Sequence, residues 1–460
     1  MSLKPYPEYK ESGVKWLGNV PAGWRIAPIK FISSFNDEVL PELTDPEYKF
    51  HYVEISDVSH THGITFGEPI TFADAASRAR RVVREGDVLV STVRTYLRAI
   101  AGARSIPSNT IASTGFAVLR PKNCDAQFLA YALLGEHSTG EIIARSVGVS
   151  YPAINATDLV KVKLPVPGQD EQHAIAEYLD RETDEIDAFI ADQEELIALL
   201  AERRTATITQ AVARGLHPDV RMVAGSLAEI GSVPIHWSVS RLKWGITKIE
   251  SGTSVNAHDI PVKGTDEVGV LKTSCVYTGE FDPSKNKKVN VEDLHRVACP
   301  VQANTLIVSR MNTPQLVGAA GYAVRNEPNI YLPDRLWQVY FHESWEARFV
   351  HFWTQTRLYR AQVEAVCMGT SSSMQNIGQD DLRNFILHLP PKEEQREIVD
   401  YLKTATSDID AAIADAREAI ALSQERRAAV ISAAVTGKID VRGLVGPEAN
   451  NVEGVSVGIA

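Results

Sequence analysis

The sequence predicts a mixed α/β chain of the α+β kind: two globular domains joined by two long helices that form an antiparallel coiled coil, with an internal pseudo-two-fold repeat. Three observations predict it. Residues 164–212 align without a gap on residues 387–435, with 25 of 49 positions identical, so the chain contains a duplication. In both copies apolar residues recur at threes, fours and sevens, the helical period. Ahead of each copy, short apolar runs broken by Gly, Pro, Asp and Asn read as strands.

The elements follow in order. LGNVPAGW from Leu17 opens the first half and is answered by IGSVPIHW from Ile230. Strands are expected in KFHYVEISDV from Lys49, GDVLVSTV from Gly86 and GFAVLRP from Gly115, then a helix near AQFLAYALLG from Ala126. The second half answers with strands in VGVLKTSCVY from Val268, NTLIVSRM from Asn304 and DRLWQVYF from Asp334, then one helix running from Trp345 to Val366. Trp24 matches Trp237 and Phe31 matches Trp244. Both pairs are expected in the cores, because aromatic rings bury large areas and duplicated folds share core positions.

Each half ends in a loop (SVGVSYPAINATDL from Ser146, GTSSSMQNIGQDDL from Gly369) and a short strand into a proline junction, LPVPGQ or LPPKE. Pro167 and Pro390 precede the helices, and Asp170, Glu171, Glu393 and Glu394 sit where carboxylates suit the positive end of the helix dipole. The apolar stripes are Ile175, Leu179, Ile186, Ile190, Ile197, Leu200 and Ile208, and Ile398, Leu402, Ile409, Ile413, Ile420, Ile431 and Val435. Such stripes need a partner helix, and each finds one most economically in the other. At 1.5 Å per residue, about 40 residues extend about 60 Å. The expected domains are 1–165, helical region 166–215, 216–390, helical region 391–440 and a C-terminal tail 441–460.

With 460 residues and 44% hydrophobic content the chain can bury full cores. No apolar run approaches a membrane span and the N-terminus lacks the apolar core of a secretory signal, so a cytoplasmic location is expected. Cys124, Cys275, Cys299 and Cys367 form no CxxC pair, which argues against a zinc site or a disulfide framework. The net charge of −11 resides in the helices: residues 170–204 carry −9 and residues 392–427 carry −3. Residues 78–104 carry a local +5, so a contact with nucleic acid is compatible with the acidic total.

The VPAGW opening, LPVPGQDEQHAIAEYLD with its counterpart LPPKEEQREIVDYL, and the helix ends LLAERRTATITQAVARG and LSQERRAAVISAAVTGKID together resemble the specificity subunits of type I restriction-modification systems. The resemblance spans nearly the whole chain. It implies two target-recognition domains, each reading one half of a bipartite, asymmetric DNA target, with the helices setting the spacer. It also implies no catalysis and no cofactor in this chain. Two modification subunits, which bind S-adenosylmethionine and methylate adenine, would dock on it, and restriction subunits through them. In keeping with that, the chain has no N/D-P-P-Y/F/W tetrapeptide and no G-x-x-x-x-G-K-S/T loop. The competing readings are a self-contained DNA methyltransferase or nuclease, and a coiled-coil scaffold unrelated to DNA.

Candidate DNA contacts are Arg78, Arg80, Arg81 and Arg84, whose guanidinium forks suit phosphates but also suit a solvated charged loop. A matched pair of loops follows equivalent strands: Thr92, Arg94, Thr95, Tyr96 and Arg98 in the first half, Arg310, Asn312 and Gln315 in the second, with Lys272 as a further basic candidate. Arginine reads guanine and Asn or Gln reads adenine in the major groove; ordinary turn chemistry is the alternative. The hydroxyl-rich loops add Ser150, Tyr151, Thr370, Ser371, Ser372, Ser373 and Asn376, at the place of a G-x-S-x-x-x-I/L motif that the resemblance implies. Candidates for partner docking or helix pairing are Glu171, Gln172, Ile175, Leu179, Ile186, Ile190, Ile197, Glu394, Gln395, Ile398, Leu402, Ile409, Ile413 and Ile420.

Overall fold

The computed structural model describes residues 4–444 except 60, 226–230, 265 and 372–373, and only the backbone of 368–371. The chain divides into two units, Met1–Glu194 with Arg417–Ala460, and Glu195–Ala416. Each unit therefore holds one globular segment and a part of both long helices.

In the first unit a four-stranded antiparallel sheet runs in the order Ile100–Gly102, Val88–Ser91, Phe116–Pro121, Ser33–Phe35. Val88–Ser91 is buried on both faces, which is why its sequence is a continuous apolar run ending in Ser. A second sheet contains Ile70–Thr71, Lys49–Val53, Thr110–Ser113 and Ala79–Val82, with the middle pair parallel. Helix Ala126–Leu134 is capped by Asp125, whose carboxylate accepts the Phe128 amide at 2.8 Å. A second helix, Glu136–Ala144, which the sequence reading did not foresee, follows Gly135.

The second unit repeats this plan. Its central sheet runs Ile246–Ser251, Leu336–Phe341, Thr305–Ser309, Ala320–Ala323, and its second sheet again contains a parallel pair, Gly269–Leu271 with Glu327–Tyr331. Two expectations are corrected here. The segment after Leu271 turns into a 3-10 helix, Thr273–Val276, instead of continuing as a strand. The single helix expected to Val366 is two, Ala347–Thr354 and Arg357–Val366, because Thr356 adopts an extended conformation and its hydroxyl caps back on the Trp353 carbonyl at 2.7 Å.

In both units the strand after an initial two-stranded pair joins the last strand before a long helix: Arg25–Pro28 with Lys163–Val166, and Ser238–Arg241 with Ile386–Leu389. The long helices are Gln169–Arg214 and Lys392–Val435. Ile175 and Leu179 join Trp24, Phe128, Ile431 and Val435 in the first core. Ile398 and Leu402 join Trp237, Phe349, Ile208 and Val212 in the second. Within each unit the two helices run antiparallel, with Arg427 on Asp187 at 2.9 Å in one and Arg204 on Asp410 at 2.9 Å in the other. Ile186, Ile409 and Ile413 are buried along this pairing, whereas Ile190, Ile197, Leu200 and Ile420 are half-buried.

The glutamate-glutamine dipeptide at each helix start is a clasp. Gln172 accepts the Asp125 amide at 2.8 Å and donates to the Pro167 carbonyl at 2.9 Å; Gln395 accepts the Glu346 amide at 2.7 Å and donates to the Pro390 carbonyl at 2.9 Å. Each glutamine, 1% exposed, thereby ties its long helix to the start of the helix that follows the central sheet. Glu394 accepts from the Trp237 indole at 3.1 Å and lies 2.7 Å from His236 Nε2. Glu171 sits 3.9 Å from Arg442. Trp24 and Trp237 are core residues, 2% and 6% exposed. Phe31 and Trp244 are not: they stand on 3-10 turns whose inward position is taken by Ile29 and Leu242, and their rings are 71% and 64% exposed. The expected tail is described only to Leu444, and Val441 within it is fully buried.

Candidate nucleic-acid interface

The loop after Val88–Ser91 is held by its first hydroxyls. Ser91 Oγ donates to the Val93 carbonyl at 2.6 Å and Thr92 Oγ1 to the Gly115 carbonyl at 2.8 Å, so both side chains are spent on shaping the backbone. Arg94 and Arg98, at φ of +50° and +51°, bracket the 3-10 turn Thr95–Leu97. A left-handed non-glycine residue costs on the order of 1–3 kcal/mol, and here two arginines bear it on one turn, which presents Tyr96 outward at 51% exposure.

The second loop closes on the first. Arg94 N donates to the Pro152 carbonyl at 2.8 Å, Ile154 N to the Thr92 carbonyl at 2.8 Å, and the Thr95 and Ser146 hydroxyls lie 2.7 Å apart. The Arg94 guanidinium sits over the Tyr151 ring, 5.0 Å from its centroid, a cation–π contact. Gly148, at φ +117°, allows the hairpin, since a Cβ there would stand 3.0 Å from the Tyr151 carbonyl. Two loops some fifty residues apart in sequence are thus one surface, with Arg94, Tyr96, Arg98, Ser150 and Tyr151 exposed on it. Thr92 and Thr95, 9% and 4% exposed, are its supports.

The same joining occurs in the second unit. Met311 and Asn312 pair with Asn376 and Gln375, and Ile377 N donates to the Arg310 carbonyl at 3.0 Å. Arg310 spends Nε on the Asp334 carbonyl at 2.7 Å. Asn312 donates Nδ2 to the Tyr277 hydroxyl at 2.8 Å, and its Oδ1 accepts the Thr313 amide at 2.9 Å, so the amide group is oriented before any ligand arrives. Gln315 and Asn376 are exposed. Thr370 and Ser371 lie on strand Met368–Ser371, and Ser372 and Ser373 lie outside the described residues. Lys272 is paired with Asp259 at 2.5 Å, which holds that carboxyl below its ordinary range.

The arginine set before the first loop is less free than its sequence suggests. Arg78 bonds Glu54 at 2.8 Å and Arg84 bonds Glu38 at 2.5 Å. Glu38, also bonded by Arg120, is held below the ordinary carboxylate range by Arg84 and then by Arg120. Arg80 lies over Phe72 at 4.9 Å and Arg81 is half-buried. The local +5 is thus reduced by acids from distant sequence, an arrangement that counting charges in a window cannot reveal. Exposed pairs of this kind are worth about 0–1 kcal/mol, so a phosphate can compete for the arginines.

Sequence reasoning missed the braces. Tyr277, which also bonds Thr273 at 2.7 Å, orients Asn312 from the end of the 3-10 helix Thr273–Val276. Arg360 holds the Pro314 and Val317 carbonyls at 3.2 and 2.6 Å from a helix, 46 and 43 residues on. No local pattern marks either; only the fold brings them to the loop. The helix candidates Gln172, Gln395, Ile175, Leu179, Ile398 and Leu402 are buried inside their own units.

Residues 48–197 and 237–418 match the family model described as type I restriction modification DNA specificity domain. The chain is 22% identical over 398 residues to the EcoKI specificity subunit of Escherichia coli (strain K12), covering 83% of this chain and 82% of that one. It is 25% identical over 170 residues to the EcoEI specificity subunit of Escherichia coli, covering 36% of this chain and only 28% of that subunit. A chain solved under the heading "Structural basis underlying complex assembly and conformational transition of the type I R-M system" shares the fold, with a TM-score of 0.64 at 22% identity over 91% of this chain and 99% of that one.

Proposed function

The chain belongs to the type I restriction-modification DNA specificity family, and on that premise we propose that it is a noncatalytic DNA-recognition subunit reading a bipartite, asymmetric target. The observation that supports this reading best is the two-loop surface present once in each unit. The framework is duplicated, but the presented residues differ: Arg94, Tyr96, Arg98 and Tyr151 in one, Arg310, Asn312, Gln315 and Asn376 in the other. Equal frameworks with unequal side chains suit two half-sites of different sequence. Arg94 on its tyrosine platform offers a fork for guanine O6 and N7, and Asn312, whose Nδ2 is held by Tyr277 and Ser309 in the free chain, reads adenine N6 and N7 by exchanging one of those bonds. Exposed arginines beside the first loop supply phosphate contacts that position the duplex without reading it.

On this reading the chain binds no cofactor. S-adenosylmethionine belongs to two modification subunits that dock on it, and restriction subunits join through them. On this reading the long helices set the spacer between the half-sites, and their acidic faces repel stray phosphate. The test is methylome sequencing of cells carrying this chain with its modification partner, before and after residues 36–160 are exchanged for those of another family member. One half of the methylated target should change and the other stay; a change in both halves, or in neither, would refute the two-reader model.

A further inference from the structure

Phe31 and Trp244 occupy equivalent places of the repeat, and the turns that carry them are built identically. The Ile29 amide donates to the Val162 carbonyl and the Leu242 amide to the Phe385 carbonyl, both at 3.0 Å. Ile29 and Leu242 then face the core, while Lys30 and Lys243 extend over the exposed rings at 5.1 and 5.8 Å from the centroids. One exposed aromatic residue needs no explanation. A lysine–aromatic pair kept outward at both places, in globular segments that otherwise diverge, has no packing reason to persist.

Its position separates it from the candidate base readers. In the first unit Ser91, which leads into the Arg94 loop, pairs with Phe116 at one end of the central strand, whereas Ser33, just after Phe31, pairs with Pro121 at the other. In the second, Ser309 pairs with Leu336 and Ile246 with Phe341, again opposite ends of one strand. About five residues of strand, roughly 17 Å, lie between the two surfaces. The lysine–aromatic turn therefore stays open while the other end of the sheet holds DNA. Cations outnumber acids around it: Lys30 and Lys122 line one cleft with Phe31 against Asp37, and near Trp244 stand Lys243, Arg241 and the Arg383 end of helix Gln379–Asn384, whose first turn holds Asp380 and Asp381. Aromatic rings with a cationic rim are the residue types that anchor protein interfaces.

We propose that these two turns are docking points for one protein partner present twice, one copy per unit: the modification subunit, offering an apolar pocket rimmed by carboxylates. This rests on the functional reading above. The test uses the full chain and its modification subunit, titrated by native mass spectrometry with Phe31→Ala, Trp244→Ala, the double variant and the charge reversals Lys30→Glu and Lys243→Glu. Each single aromatic variant should weaken one of the two binding steps at least tenfold, the double variant both, and the reversals should act in the same direction. Melting curves should be unchanged, because the rings are exposed. Two unaltered binding steps in the double variant would overturn the surface while leaving the function standing. Normal partner binding with weakened DNA binding would assign the turns to DNA and overturn the proposal equally. A wild-type chain that binds no modification subunit would overturn the functional reading and this proposal together.

Discussion

Arg427 donates to Asp187 at 2.9 Å, and each of these residues has its repeat counterpart in the same relationship, Arg204 to Asp410 at 2.9 Å. The duplicated E-R-R sequence is thus a reciprocal lock: the arginine of each helix takes the aspartate of the other. Arg427 is only 9% exposed and binds Asp187 through both Nε and Nη2, so the pair carries direction as well as charge. Arg427→Ala should cost about 2 kcal/mol, between the values typical of exposed and buried pairs, and Arg204→Ala less, since Asp410 is half exposed. The exchange Asp187→Arg with Arg427→Asp should recover most of the loss in thermal denaturation. Equal damage from the exchange and from the single change would show that packing, not pairing, matters there.

The glutamine clasps should be among the most sensitive polar positions. Gln395→Ala strands the part-buried Glu346 amide and the buried Pro390 carbonyl, at about 1–3 kcal/mol per lost buried partner. Gln395→Glu should be nearly as harmful, because a carboxylate keeps the acceptor but cannot donate to Pro390. For a unit of this size each kcal/mol lowers Tm by about 2–4 °C. A Gln395→Ala protein melting with the wild type would remove the clasp from the account.

These cases show what was legible beforehand. The duplication, both long helices and the pairing of their stripes were readable because helical period and identity persist over more than forty residues. The matched loops were placed correctly after equivalent strands, since Val88–Ser91 and Thr305–Ser309 share an unmistakable apolar run. Phe31 and Trp244 were misplaced because aromaticity alone does not say which way a 3-10 turn points; Ile29 and Leu242 took the inward place. The glutamines stand among the sequence candidates for docking or helix pairing, and the amides that fix their role lie 47 and 49 residues away, where no local pattern points to them. Arg84 read as free because Glu38 lies 46 residues upstream.

Reading by the first unit should be separable from reading by the second. Arg94→Ala should relax discrimination at one base pair of one half-site by about 1–3 kcal/mol and leave the other half untouched. Tyr151→Ala should give a milder version at the same base, because it removes the platform beneath the fork but not the fork. Asn312→Ala should act on the other half alone. Base-by-base binding competition with the assembled complex measures all three, and a uniform loss across both half-sites would make Arg94 a phosphate contact instead.

Acid should weaken the first unit through His137. Burial pushes its imidazole down to about 4, and it ordinarily titrates near 6.5. Between those values the unfolded chain takes up a proton that the folded chain refuses, so stability is complete above about pH 6.5 and is lost as pH falls toward 4. The contribution is at most about 3 kcal/mol at 1.36 kcal/mol per unit. His137→Asn carries no such penalty, so the stability advantage of the wild type over the variant should shrink on acidification. Chemical denaturation of both proteins at pH 7 and pH 4.5 measures it; a constant difference would exclude this histidine.

Spacer length should follow the helices, provided that both are changed. Four residues inserted after Leu200 alone leave Arg427 on Asp187 but carry Arg204 a full turn past Asp410, so one lock opens. Four helix-forming residues after Leu200 together with four after Ile413 preserve both locks and the apolar stripes. The matched insertion adds roughly 6 Å of rise and about 40° of rotation to each helix. One base pair of B-DNA advances about 3.4 Å and about 34°. The matched variant should therefore methylate both original half-sites with the spacer longer by one or two base pairs; rotation favours one and translation two. The single insertion should be less stable and less active at every spacer. Methylated-site mapping of the two variants decides the matter: an active matched variant with an unchanged spacer would show that the helices do not set the distance.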